Sequence, residues 1–154
     1  LSKAPRFNNV YDYSNRLYRD IKNESVSALE LGYSFRSSIF SSNLNMYYTT
    51  WNNKPSNGGI TVTIDDIPFR ANINGMDALH KGIELDLSYK LLSNLSLEGL
   101  LSIGDWRWTS TETVRFYDDD NSIALDPNSG DTIEVSFDAD GVRVGDAAQT
   151  QLGF

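Results

Sequence analysis

Cysteine is absent from the chain, which excludes a disulfide framework and any thiolate-held metal site. Histidine is nearly so: His80 is the only one, and a lone imidazole builds neither a His-cluster metal centre nor a His–His acid/base pair. No apolar run approaches the ~20 residues of a membrane-spanning helix. That excludes helical membrane proteins alone, because a barrel strand crosses with about ten alternating residues. Positive charge is also scarce. Lys and Arg number 13 against 21 Asp and Glu, a net charge of −8, the wrong sign for a protein that grips nucleic-acid phosphates.

What is present is apolar enough to fold: of 154 residues, 40% are hydrophobic and 12% aromatic, against a disordered chain and in favour of one domain. The acidity is local. Ser110 to Ala147 holds ten acids and only Arg115 and Arg143 in opposition, so this segment carries the entire −8 and the rest of the chain sums to zero.

Period-two alternation recurs in place of helical periodicity. Over 24–36, Leu29, Leu31, Tyr33 and Phe35 oppose Glu30, Gly32, Ser34 and Arg36. Over 39–51, Phe40, Leu44, Met46 and Tyr48 oppose Ser41, Asn43, Asn45, Tyr47 and Thr49. Over 81–91, Ile83, Leu85, Leu87, Tyr89 and Leu91 oppose Gly82, Glu84, Asp86, Ser88 and Lys90. Over 95–109, Leu95, Leu97, Leu101 and Ile103 oppose Ser96, Glu98, Ser102 and Gly104. Residues 148–154 read as the stub of a fifth strand. The connections alternate between short (Ser37-Ser38, and Leu92 to Asn94) and long (Asn52 to His80, with one short strand at Ile60 to Ile64, and Ser110 to Ala147). Loops above ~12–15 residues are uncommon in compact domains, whereas an outer-membrane barrel has tight turns at one end and long loops at the other. Tyr47, Tyr48 and Trp51, with Trp106 and Trp108, cluster at the long-loop ends, where an aromatic girdle at the membrane boundary is expected.

The reading is therefore all-β: an antiparallel transmembrane β-barrel segment with two long extracellular loops. Leu29, Leu31, Phe35, Leu85, Leu87, Leu97 and Leu101 are expected to face lipid, and Glu30, Glu84, Asp86 and Glu98 the lumen. Alternation alone equally allows a soluble β-sandwich acting in adhesion or carbohydrate binding. The dense charge on the polar faces and strands longer than the usual 5–6 residues favour the barrel. Within the acidic segment, Thr132 to Phe137 and Gly141 to Val144 alternate and are expected to pair as a hairpin across Asp138-Ala139-Asp140-Gly141.

Three motifs resemble the barrel of TonB-dependent outer-membrane receptors of the Bacteroidetes type: Asn23-Glu24-Ser25 leading to Leu29-Glu30-Leu31-Gly32-Tyr33 and on to Asn43 to Trp51; Lys81-Gly82-Ile83-Glu84-Leu85-Asp86 with Leu92 to Leu97; and Val144-Gly145-Asp146-Ala147, where many members carry proline after the acid. The resemblance implies four full strands and a stub from a barrel of about 22 strands. It makes residues 1–154 part of one barrel domain, an interior piece of the C-terminal half in which nothing matches a plug or a TonB box. It further implies nutrient import (a siderophore, cofactor, glycan or peptide) at the outer membrane of a Gram-negative bacterium. The partners are then lipid, the rest of the barrel and its plug, the TonB complex through that plug, and a surface lipoprotein; no nucleic acid is expected.

Candidate chemistry is sparse, and no catalytic residue or cofactor is expected. Asp118-Asp119-Asp120-Asn121 and Asp138-Ala139-Asp140-Gly141 offer carboxylates to a calcium ion, but without EF-hand spacing; a solvated acidic loop explains them. Glu84 and Asp86 share a strand face and read as a wet lumen wall rather than a glycosidase pair. His80 lacks a nucleophile partner. Asn57-Gly58, Asn74-Gly75 and Asp140-Gly141 are turn signals. Tyr11, Tyr13 and Tyr18, interleaved with Arg16 and Arg19, suit stacking on a cargo or packing between loops.

Overall fold

The structure is a computed structural model that describes residues 1–12, 15–19, 21–145 and 148–154, with the side chains of residues 56–59 and 74 left aside. Tyr13, and Asp146 and Ala147 of the third motif, lie outside the described residues. In chain order the elements are β1 (Ser2–Lys3), α1 (Phe7–Val10), β2 (Glu24–Arg36), β3 (Phe40–Ile64), β4 (Ile67–Leu92), β5 (Leu95–Trp108), β6 (Thr111–Arg115), β7 (Glu134–Asp138) and β8 (Thr150–Gly153). A six-stranded sheet runs β1-β2-β3-β4-β5-β8, and β6 pairs with β7 separately.

The four alternating runs are strands, and the stub is β8, antiparallel to β5 from Leu100↔Gly153 to Ile103↔Thr150. The tight turns fall where expected. At Ser37 the hydroxyl oxygen accepts from the Phe40 amide at 3.0 Å, and the Ser37 amide donates to the Phe40 carbonyl at 2.7 Å. The first long loop is not a loop. β3 and β4 continue through it and turn at Asp65-Asp66, whose φ values of 50° and 63° are those of a two-residue hairpin turn of the primed type. The Asn57-Gly58 and Asn74-Gly75 turn signals sit inside these strands, with Gly75 held at φ 127°.

The described chain divides into two compact units. One comprises residues 27–50, 79–107 and 143–154. It is a sheet without a core, and Val144 is its only buried apolar residue among those described. Leu29 is 73% and Leu97 54% exposed, and Leu31, Phe35 and Leu87 are exposed too, while Leu85 and Leu101 are half-buried. Glu30, Glu84, Asp86 and Glu98 are exposed and fall on the opposite face by the strand period. Among the described residues no second layer covers these leucines. Isolated in water, such a face would associate.

The other unit comprises residues 1–26, 51–78 and 108–142, and it has a core of Phe69, Ala71, Val114, Phe116, Ala124 and Ile133. Ile60, Val62, Ile64 and Ile73 from the β3–β4 hairpin pack against it. The acidic segment is thus built in, not merely solvated. Its expected hairpin is replaced: β7 pairs with β6, from Thr111↔Asp138 to Arg115↔Glu134. Val114 stands opposite Val135, the hydroxyls of Thr113 and Ser136 lie 2.9 Å apart, and Arg115 reaches Glu134 at 3.6 Å. These cross-strand matches outcompete Gly141–Val144. Residues 141 and 142 instead bond Trp108, through Gly141 N–H to its carbonyl (3.0 Å) and its N–H to the Val142 carbonyl (2.9 Å). The turn at Ala139–Val142 is present, with Gly141 at φ 76°.

Candidate functional site

The aromatic residues at the strand ends divide between the two faces, with Tyr48 in phase with Leu44 and Met46 on the apolar face of β3. Trp106 is in phase with Glu98 and Ser102 along β5, and Tyr47 with Asn43 along β3, so both belong to the polar face. There the Trp106 indole N–H donates to the Tyr47 hydroxyl at 2.8 Å. His80 stacks on the Trp106 ring at 5.4 Å and 14°. Gln149 clasps the Trp106 backbone, donating to its carbonyl at 3.0 Å and accepting from its amide at 3.3 Å. Gly82 makes the arrangement possible, since a Cβ there would lie 2.4 Å from the Tyr47 hydroxyl and 2.7 Å from the Ile103 carbonyl. On the same face, Asn43, Asp86, Ser88 and Glu98 border a hollow of about 400 Å³. It is a carboxylate-lined wall on which Asp86 and Glu98 are both exposed.

In the cored unit the polar groups converge on Asp12. Its nearly buried carboxylate accepts from Arg16 Nε at 2.9 Å and from the Arg16 amide at 2.8 Å, and pairs with the buried Arg70 at 3.2 Å. Arg70 Nη2 also donates to Asn121 at 3.3 Å, and Arg16 is bonded to Asp119. Arg70 lies over the Tyr18 ring and Arg19 over Tyr117. Of the interleaved aromatic and basic residues near the N-terminus, then, Tyr18, Arg16 and Arg19 serve packing and charge pairing within the loops. Sequence reading missed Asp12 and Arg70 because 58 residues separate them, and no local pattern marks such a pair.

The calcium candidates are dispersed among other duties. Asp118 accepts the Ser122 amide at 2.8 Å, Asp119 takes Arg16, and Asp138 accepts the Thr111 hydroxyl at 2.8 Å, while Asp120 and Asp140 sit in or beside turns. Among the described residues no three carboxylate or imidazole groups lie together as a metal site. Glu112, half-buried against Gly75, has its carboxyl pushed above the usual carboxylate range by burial and by nearby Asp77, with Lys22 opposing. Lys54 places its ammonium 4.4 Å from the Trp51 ring centre and 5.6 Å from that of Trp108.

A long-stranded antiparallel sheet with one bare aliphatic face and one hydrated, charged face defines a piece of β-barrel wall. The chain belongs to the TonB dependent receptor-like, beta-barrel family, which it matches over residues 2–147. Comparison with curated proteins and with solved structures gives no match.

Proposed function

We propose that this chain forms wall and external loops of an outer-membrane receptor that imports a scarce nutrient by energy coupling through the TonB complex. The observation that carries the proposal is the sheet of Leu29, Leu31, Leu87 and Leu97: among the described residues no layer covers it, and burying it in lipid removes the aggregation hazard. In this reading residues 1–154 are one stretch of a barrel domain whose plug lies elsewhere in the protein. The acidic segment faces outward, because an Asp at the membrane centre costs about 2.5–3.5 kcal/mol on insertion scales. The host is a Gram-negative bacterium, the Bacteroidetes type being favoured by the three motifs, and a surface lipoprotein is the expected auxiliary partner. The cargo is a siderophore, cofactor, glycan or peptide.

The test is fractionation and uptake in the native host. The protein should partition with the outer membrane, and cells lacking it should show the same growth defect on a limiting nutrient as cells lacking TonB. Recovery in the soluble fraction, or a defect independent of TonB, would overturn the reading.

A further inference from the structure

Two cavities of the cored unit share Lys54 and Pro55 as a common border. The first, about 250 Å³, is lined by Lys3, Arg6, Glu24 and Trp51. The second, about 510 Å³, is walled by Ile73, Met76, Trp108, Phe137 and Val142, in the size range of small-molecule sites. One is cationic and the other apolar, and Lys54 lines both.

The charges there are not used up. Lys3 is taken by Glu24 at 4.0 Å, but Arg6 and Lys54 have no carboxylate within 4.0 Å among the described residues. This is notable in a chain of net −8, where acids are plentiful. The two indoles beside Lys54 fix the position of its ammonium without neutralising it. Asp138, the acid on the apolar cavity, is engaged by the Thr111 hydroxyl.

We propose that these neighbouring cavities together bind a soluble anionic amphiphile. Its phosphate or carboxylate head sits between Arg6 and Lys54, and an apolar body of ring-system size lies along Met76, Trp108 and Phe137. The head gains two cations that no carboxylate within 4.0 Å neutralises among the described residues, and the planar guanidinium of Arg6 matches an oxyanion in two-pronged fashion. A bilayer lipid brings several long chains, which exceed the apolar cavity. The proposal rests on the import reading only in taking the occupant to be cargo.

The full-length protein in phosphatidylcholine nanodiscs, titrated calorimetrically with 1-naphthyl phosphate, tests the site, with inorganic phosphate and 2-naphthol as half-ligands. The naphthyl phosphate should bind at least about tenfold more tightly than either half. Lys54→Gln and Arg6→Gln should each weaken it about fivefold or more and flatten its salt dependence. Lys54→Arg should retain binding, which separates loss of charge from loss of fold, and Lys90→Gln on the sheet should change nothing. Equal affinity for inorganic phosphate, or indifference to both Gln variants, overturns the proposal. Loss of probe binding when long-chain phosphatidylglycerol is built into the nanodisc bilayer would assign the head to a membrane lipid and overturn the soluble ligand. Binding is read without uptake, so a failed site leaves the import reading standing, and failed import leaves the site standing.

Discussion

Glu112 illustrates how a single residue of this molecule answers to pH. Its carboxyl holds its proton to a higher pH in the folded protein than in the unfolded chain. The folded state therefore binds more protons across that interval, and stability falls as pH rises through it. The contribution is fully present below the unfolded value and lost above the folded one. Amide exchange of β6 and β7, corrected for the intrinsic effect of pH, should show protection that declines from acid toward neutral conditions. Glu112→Gln should flatten the decline and leave the neutral-pH protein the better protected of the two. A profile identical to wild type would mean that the carboxylate is already solvated.

Asp12 and Arg70 work at the same scale with higher stakes. Each side chain is less than a tenth exposed, so removing Asp12 strands the Arg70 charge, at a cost of about 3–5 kcal/mol for a buried pair. Asp12→Asn should open the loop unit to limited proteolysis near Arg70 and Asn121. Joint replacement of Asp12 and Arg70 by apolar residues should be milder than the single change. If the single variant resists the protease as wild type does, Asn121 and the Tyr18 ring suffice to hold Arg70.

At the scale of elements, the β3–β4 turn and the glycine beneath Tyr47 are the sensitive points. Asp65 and Asp66 both occupy left-handed backbone, which glycine adopts without strain. Asp66→Gly should strengthen the hairpin by roughly 0.5 kcal/mol, read as slower exchange at Ile64 and Ile67. Gly82→Ala should do the reverse. The backbone oxygen of Ile103 cannot yield as a side chain would, so overpacking of about 1–3 kcal/mol is expected. It should be seen as a lower temperature for loss of the compact, detergent-resistant electrophoretic form.

These elements also mark what could be read in advance. The strands expected at 24–36, 81–91 and 95–109 were legible because their faces differ chemically at every second residue. The continuation of β3 past Asn52 was hidden by a run of Asn, Pro, Ser and Gly that mimics a loop, and the true turn carries Asp-Asp in place of the expected Asn-Gly. The alternation of Ile60, Val62 and Ile64 was visible, but its partner layer of Val114, Phe116 and Ile133 was not, because it comes from a distant segment. The Trp106 placement was recoverable, since its phase with Glu98 argues against a lipid-facing girdle. Lys54 stands in the sequence as one lysine in a turn-like run.

For the whole molecule, the bare leucine face sets the solvent. Purified without detergent the protein should precipitate or form soluble aggregates, and transfer into lipid should restore a monodisperse, β-rich species. A monomer in plain buffer would contradict a lipid-facing wall.

The core around Phe116 is closed by stretches of chain that are far apart in sequence: β3–β4 contributes 60–73, and its lid arrives with 114–133. Such contacts form late, because a long loop must be gathered before any of them is rewarded. A chain still being delivered has Phe69 and Ala71 uncovered until residue 133 follows. Assembly thus has an interval, set by the order of delivery, in which the hairpin exists without its cover. A chaperone or protease acting during that interval would meet Phe69 and Ile73 rather than the finished surface, so quality control of this receptor would read whether its acidic segment has arrived.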